Sequence, residues 1–253
     1  MLKKNNLLIF KVKTMNNLKI VLPMAGKGQR FKDKGIYRPK PLIDVCGIPM
    51  IKRATMSLSF FDKIKANNII CIVRKDDIDK YNIIRELQYI FSNDIQVLID
   101  HNPIGAATTV LAAKKFINND EQLIVMDCDV SFESNEYESK ILSNDRNIDG
   151  LIPVFKSEGD KWSFSEFGPD KKIKAISEKK RISNYANIGF YYFSKGSDFV
   201  KHTEILLKQK KTVCGEYYIS LVIKEMIKEG KLIYAAKAEN FRNMGTPEDL
   251  YRL

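Results

Sequence analysis

The apolar positions along this chain change period several times, and each change predicts an element. Residues 18–22 form a short apolar run that stops at Pro23, the pattern of a strand buried on both faces. Similar runs at residues 68–73, 95–99 and 122–126 predict three more buried strands. Between the runs the period lengthens. Residues 50–61 predict a helix led in by Pro49, whose fixed φ suits a first helical turn. Ile78, Tyr81, Ile84, Leu87 and Ile90 recur at helical spacing, with Asp76 and Asp77 expected to cap that helix. Residues 104–116, rich in small side chains such as Gly105, Ala107 and Ala113, predict a third helix. Strands alternating with helices predict a parallel sheet covered on both faces, with ligands at the carboxyl ends of its strands.

From residue 150 the pattern changes. Residues 150–155 predict a strand, and residues 162–167 and 173–176 a hairpin about Gly168-Pro169-Asp170. Residues 188–193 predict an aromatic strand, assigned to the core rather than to a base-stacking platform. Helices over 197–210 and 215–229 and a strand over 232–236 complete the pattern. The expected class is α/β: a Rossmann-like mixed, mostly parallel sheet flanked by helices, with a small β-rich lobe. One domain is expected over residues 15–253, its halves being about 15–149 and 150–253. Residues 1–14 carry only the short apolar Leu7-Leu8-Ile9-Phe10 and no cleavage site. They are expected to be a disordered, dispensable extension, with Met15 a natural start. No hexapeptide repeat is visible, so no acyltransferase extension is expected.

Composition narrows the reading. With 253 residues, 44% of them hydrophobic, the chain can bury a full core. No apolar run approaches the ~20 residues of a membrane span, so a cytoplasmic protein is expected, with no membrane partner. The net charge is +11, but no dense basic block with interleaved aromatics occurs. The excess is therefore assigned to solvated lysine-rich faces, and nucleic acid is not expected as a partner. Cys46, Cys71, Cys128 and Cys214 lie far apart without metal-binding spacing, which points to reduced thiols.

Candidate chemistry begins directly after the first strand. Ala25-Gly26-Lys27-Gly28-Gln29-Arg30-Phe31 is followed by Arg38-Pro39-Lys40-Pro41-Leu42. The glycines let backbone N–H groups approach an anion, and Lys27, Arg30 and Lys40 supply charge. A third glycine before a helix is missing, as is a Gly-Lys-Ser/Thr ending, so neither dinucleotide fingerprint nor P-loop fits. Met126-Asp127-Cys128-Asp129-Val130 closes the fourth strand with two carboxylates on alternate positions, which share one face. Hard oxygen donors there suit Mg²⁺ held beside nucleotide phosphates.

Together, Gly26-x-Gly28-x-Arg30-Phe31 and Pro39-Lys40-Pro41-Leu42 resemble the signature of the sugar-phosphate nucleotidylyltransferases. These enzymes join a nucleoside triphosphate to a phosphorylated small molecule, and the resemblance runs from Met15 to the C-terminus. It implies the nucleotidyltransferase fold and a nucleotide site of Ala25, Gly26, Lys27, Gly28 and Gly105. Arg30 and Lys40 are the implied catalytic residues. Asp129 is the implied Mg²⁺ ligand, with Asp127 a further candidate. Ile176-Ser177-Glu178-Lys179 resembles the family's acceptor-binding Glu-Lys motif, although Lys180 replaces the proline that usually follows. Asn187-Ile188-Gly189 resembles its acceptor-binding Asn-x-Gly. Asn243, two residues before Gly245-Thr246-Pro247, stands where a second metal-binding aspartate is usual. An amide oxygen coordinates Mg²⁺ too, but without charge.

Asp100-His101-Asn102-Pro103-Ile104-Gly105 resembles the base-reading loop, with Asp100 where a glutamine is frequent. An ionised aspartate only accepts hydrogen bonds. Cytosine offers an N4 amino donor, whereas uracil and thymine present an O4 acceptor. CTP is therefore the expected donor. The alternative is that backbone groups of Ala25, Gly26 and Gly105 read the base while Asp100 faces water. The overall likeness is to small bacterial members that make surface-polysaccharide precursors. From that likeness the expected acceptor is L-glutamine phosphate, giving CDP-L-glutamine for capsule biosynthesis. A sugar 1-phosphate or phosphocholine is the alternative acceptor, and a catalytically silent nucleotide-binding regulator the alternative to an enzyme. Self-association into a homodimer is a further option.

Overall fold

The computed structural model describes residues 15–145 and 147–252, so the extension expected over residues 1–14 lies outside them. In chain order the first strands are β1 (Leu18–Pro23), β2 (Asp44–Val45), β3 (Ile48–Pro49), β4 (Ile69–Arg74) and β5 (Gln96–Asp100). Next come β6 (Gln122–Met126), β7 (Val130–Glu133), β8 (Gly150–Lys156), β9 (Ser163–Phe167) and β10 (Ile173–Glu178). The last are β11 (Tyr185–Asn187), β12 (Phe190–Phe193), β13 (Ile233–Lys237) and β14 (Glu239–Asn243).

One sheet carries both halves of the chain, in the order β10-β9-β11-β8-β12-β6-β1-β4-β5, with β13 added beside β8. Over the first half of the chain β6, β1, β4 and β5 are all parallel, as the buried apolar runs predict. Beyond β6 the neighbours turn antiparallel from β12 to β10, and only β13 runs parallel to its partner. The sheet is therefore mixed, and the second half extends it instead of forming a sheet of its own.

Alternation inside the apolar runs builds two cores. Leu18, Ile20 and Leu22 of β1, with Ile124 and Met126 of β6, face one side. Val21, Leu123 and Val125 face the other. Helices Met50–Thr55, Ile83–Ile90 and Asn135–Leu142 cover the first face. Ala106–Leu111, Gly196–Lys208 and Ile219–Lys228 cover the second. Among the described residues no helix is long and apolar enough to cross a membrane.

Several helices are shorter than their periodicity predicts. The helix after Pro49 ends at Thr55. The one expected through Ile90 divides at Asn82, which adopts φ 49°, a conformation asparagine tolerates better than most residues. Asp76 and Asp77 lie in its first turn instead of capping it, and Arg74 occupies the cap. The helix expected from residue 104 starts only at Ala106, because Gly105 takes φ 116°. One short ribbon, β7–β14, escaped the apolar pattern.

Candidate active site

The parallel strands deliver their carboxyl ends to one crevice, where the glycine loop, Lys40, Gly105, Asp127 and Asp129 converge. A cavity of about 620 Å³ opens there. The loop after β1 lines it from Met24 to Phe31, followed by Lys40, with Pro103, Gly105, Ala106 and Thr109 from the segment after β5. Asp127, Cys128 and Asp129 reach it from the end of β6, and Glu216 and Gly245 from later loops.

Gly28 takes φ 63° at the start of the helical turn Gln29–Lys32, a backbone conformation that favours glycine. A side chain at Gly26 would meet nothing within 4 Å, which leaves the loop's backbone open toward the cavity. Lys27 and Arg30 are exposed and, among the described residues, have no ion-pair partner. They are free for a polyanion. The Lys40 ammonium instead donates to Asp129. Burial works against that ammonium, but Asp129, with help from Asp127, outweighs it and raises the pKa above the ordinary lysine value.

Asp129 and Asn243 flank one glycine. A Cβ on Gly245 would stand 3.1 Å from both Asp129 Oδ2 and Asn243 Oδ1. The β7–β14 ribbon produces this approach by pairing Asn243 with Val130, and the Met244 N–H donates to the Asp129 carbonyl at 2.7 Å. The Asn243 amide is oriented at both ends: Nδ2 donates to Asp249 Oδ2 at 2.6 Å, and Oδ1 accepts from the Gly245 N–H at 3.2 Å. One carboxylate and one amide oxygen fit Mg²⁺, which takes few protein ligands and completes its shell with phosphates and water. Among the described residues no group of three or more His, Cys, Asp or Glu is arranged to hold a metal by itself.

Asp127 leans the other way. Its N–H donates to the Gly189 carbonyl at 2.7 Å, and a Cβ on Gly189 would come within 1.8 Å of its Oδ2. Gly189 thus makes room for a carboxylate, a role the sequence does not disclose. Burial first, then Asp129 and Glu178, push Asp127 up to about 7 in spite of Lys40. Burial and Asp129 also push the Cys128 thiol up to about 12, so it stays protonated at neutral pH.

The acceptor-motif residues lie outside the cavity lining. Glu178 accepts from Ser220 Oγ at 2.6 Å, and burial raises its pKa despite that bond and Lys179. Lys179 is exposed and donates to the Tyr218 hydroxyl. Asn187 is buried, donating to Ser163 Oγ at 3.0 Å and accepting from Ser165 Oγ at 2.7 Å. Its side chain ties β11 to β9.

Asp100 does not line the cavity either. Its Oδ1 accepts from the Asn102 N–H at 3.0 Å and its Oδ2 from the Thr109 hydroxyl at 2.7 Å. Thr109 does line it, one helical turn beyond Gly105, and that spacing was the available sequence signal. Glu216 gave no such signal. It arrives because Tyr217 packs on Gly105, with the Ala107 N–H bound to the Tyr217 carbonyl at 2.9 Å.

The family model described as "Nucleotidyl transferase" matches residues 19–253. "Bifunctional protein GlmU" of Methanococcus vannielii is 30% identical over 240 residues, which cover 91% of this chain and 52% of that protein. The protein of the same name from Bacillus mycoides is 24% identical, covering 90% of this chain and 48% of its own. The chain therefore spans about half the length of these curated relatives. Among solved structures, a nucleoside-diphosphate-sugar pyrophosphorylase from Vibrio cholerae RC9 superposes with a TM-score of 0.76 at 22% identity, over 92% of this chain and 98% of that one. A putative glucose-1-phosphate thymidylyltransferase from Bacillus anthracis gives 0.73 at 20% identity, over 93% of each chain.

Proposed function

Because the chain belongs to the nucleotidyl transferase family, we propose that it joins CTP to a phosphorylated small molecule with release of pyrophosphate. The observation that carries this reading is the single cavity that gathers the Gly26–Gly28 loop, unpaired Lys27 and Arg30, and the Lys40–Asp129 pair. An acceptor phosphate oxygen attacks the α-phosphorus in line, the bond to the β-phosphate oxygen breaks, and pyrophosphate departs with that electron pair. The protein's share is positioning and charge. The glycine loop, Lys27 and Arg30 hold the triphosphate, and Lys40 faces the α-phosphate. Asp129 and Asn243 would hold Mg²⁺, whose contribution is to neutralise phosphate charge. Glu178 and Lys179, outside the cavity lining, would receive the acceptor.

L-Glutamine phosphate is the acceptor we favour, giving CDP-L-glutamine for capsule biosynthesis in the cytoplasm. The likeness of the whole chain to small bacterial enzymes of that class supports it. A sugar 1-phosphate is the second reading, favoured by the named activities of the structural neighbours. Pyrophosphate release from the purified chain, with CTP, Mg²⁺ and a panel of glutamine phosphate, phosphocholine and glucose 1-phosphate, tests both. Release with glutamine phosphate above the others is expected. CTP binding without release from any acceptor would leave a nucleotide-binding regulator.

A further inference from the structure

The cavity lining combines a cationic part with a part that carries no cation. Lys27, Arg30 and Lys40 mark the first, and Pro103, Gly105, Ala106 and Thr109 the second. A nucleotide whose phosphates meet the cations leaves its base for the part without them, to which Thr109 belongs. Thr109 is only 3% exposed and still lines the cavity. Its hydroxyl donates to Asp100 Oδ2 at 2.7 Å. A hydroxyl carries one proton, and a carboxylate only accepts. The Thr109 proton is therefore committed, and its oxygen can serve a ligand only as an acceptor. Asp100 is itself held by the Asn102 N–H at 3.0 Å on its other oxygen, so it cannot swing away freely. Neighbouring Thr108 contrasts: its hydroxyl donates to the Gly105 carbonyl at 2.8 Å, and it does not line the cavity.

We propose that Asp100 and Thr109 form an acceptor-only selector for the pyrimidine base, in which Thr109 Oγ1 takes the 4-amino group of cytosine and turns away the 4-oxo group of uracil. Thr109 is the contact and Asp100 the positioning residue that fixes its proton. The selector rests on the nucleotidyl-transfer reading above, since it places the nucleotide in this cavity. It differs from direct reading by Asp100, because the discrimination passes through a hydroxyl that the sequence did not single out.

Binding of CTP and UTP in Mg²⁺ without acceptor, followed by titration calorimetry, tests it independently of turnover. Wild type is expected to favour CTP by ~10- to 200-fold, the range one good base contact allows. Thr109→Val keeps the shape without the hydroxyl and should bring the ratio close to one, whereas Thr109→Ser should restore the preference. Asp100→Asn should narrow the ratio, because its amide can donate to Thr109 Oγ1 and free the hydroxyl proton for uracil O4. The double variant Asp100→Asn/Thr109→Val should match Thr109→Val alone, as residues acting through one contact are not additive. Should Thr109→Val fail to fold, Thr109→Ser and Asp100→Asn still decide the matter. A cytidine preference that survives both Thr109→Val and Asp100→Asn overturns the selector and leaves the proposed function standing. Wild type that favours UTP overturns the selector and the choice of CTP, while nucleotidyl transfer stands on pyrophosphate release with UTP. Binding of neither nucleotide overturns the selector and the proposed function together.

Discussion

Lys40 is the residue on which most of the site's electrostatics turns. Its ammonium ties the segment before β2 to the end of β6 through Asp129, and the surrounding carboxylates keep it charged against the cost of burial. A preorganised charge of this kind, aimed where phosphate charge develops, is worth a large factor in rate. Lys40→Ala is expected to lower turnover by ~10²-fold or more while leaving the thermal midpoint measurable. Near-normal turnover would remove Lys40 from the phosphate site. Asn243 poses the converse question, since it leaves the proposed Mg²⁺ position with one formal negative charge fewer than a second aspartate would. Its Oδ1 already lies beside Asp129 across Gly245. Asn243→Asp should therefore tighten the Mg²⁺ dependence of activity, and Asp129→Asn should weaken it. Titration curves unchanged in both variants would place the ion elsewhere.

At the scale of elements, the contact between Gly105 and Tyr217 joins the nucleotide half to the acceptor half. Gly105 holds φ 116°, and a Cβ there would lie 2.6 Å from the Tyr217 backbone nitrogen and oxygen. Gly105→Ala is expected to destabilise the fold by ~1–3 kcal/mol in urea denaturation, because both the backbone strain and the clash fall on one residue. It should also weaken nucleotide binding, since Glu216 and Thr109 border that contact. An unchanged denaturation midpoint would show that the loop before Ile219 moves aside at no cost. The same contact marks a limit of sequence reading. The four parallel strands were legible because a strand buried on both faces is an uninterrupted apolar run. That the glycine loop, Lys40, Asp127 and Asp129 belong together was legible because short motifs carry them, and they line one cavity. The helix start at Ala106 was not, because it depends on the φ of Gly105, which is shaped by a loop far along the chain. The β7–β14 ribbon was equally hidden. Its strands are half polar and pair only after the sheet has brought them together. Asn187 matched a binding motif, yet its partners Ser163 and Ser165 sit on β9, where no local pattern points to them.

For the whole molecule, one sheet with a core on each face couples both halves, so local charge at the site is expressed in the stability of the entire fold. Asp127 offers the clearest case. Burial, Asp129 and Glu178 hold its folded pKa at about 7, whereas an unfolded aspartate titrates near ~3.9. Between those two values the folded chain keeps a proton that the unfolded chain has released. The stability this group contributes is therefore fully present below about pH 4 and is lost as pH rises through about 7. Asp127→Asn remains neutral throughout and removes that loss. In urea denaturation with chelator present, the stability of Asp127→Asn relative to wild type should climb steadily from about pH 4 to about pH 7, then level off. A constant difference across that range would mean that the folded state accommodates the Asp127 charge without penalty. Added Mg²⁺ should flatten the wild-type slope, because a cation bound beside Asp129 favours the ionised form of its neighbour. That second arm separates a carboxylate raised by its charged neighbours from one buried for packing alone, whose slope Mg²⁺ would not touch.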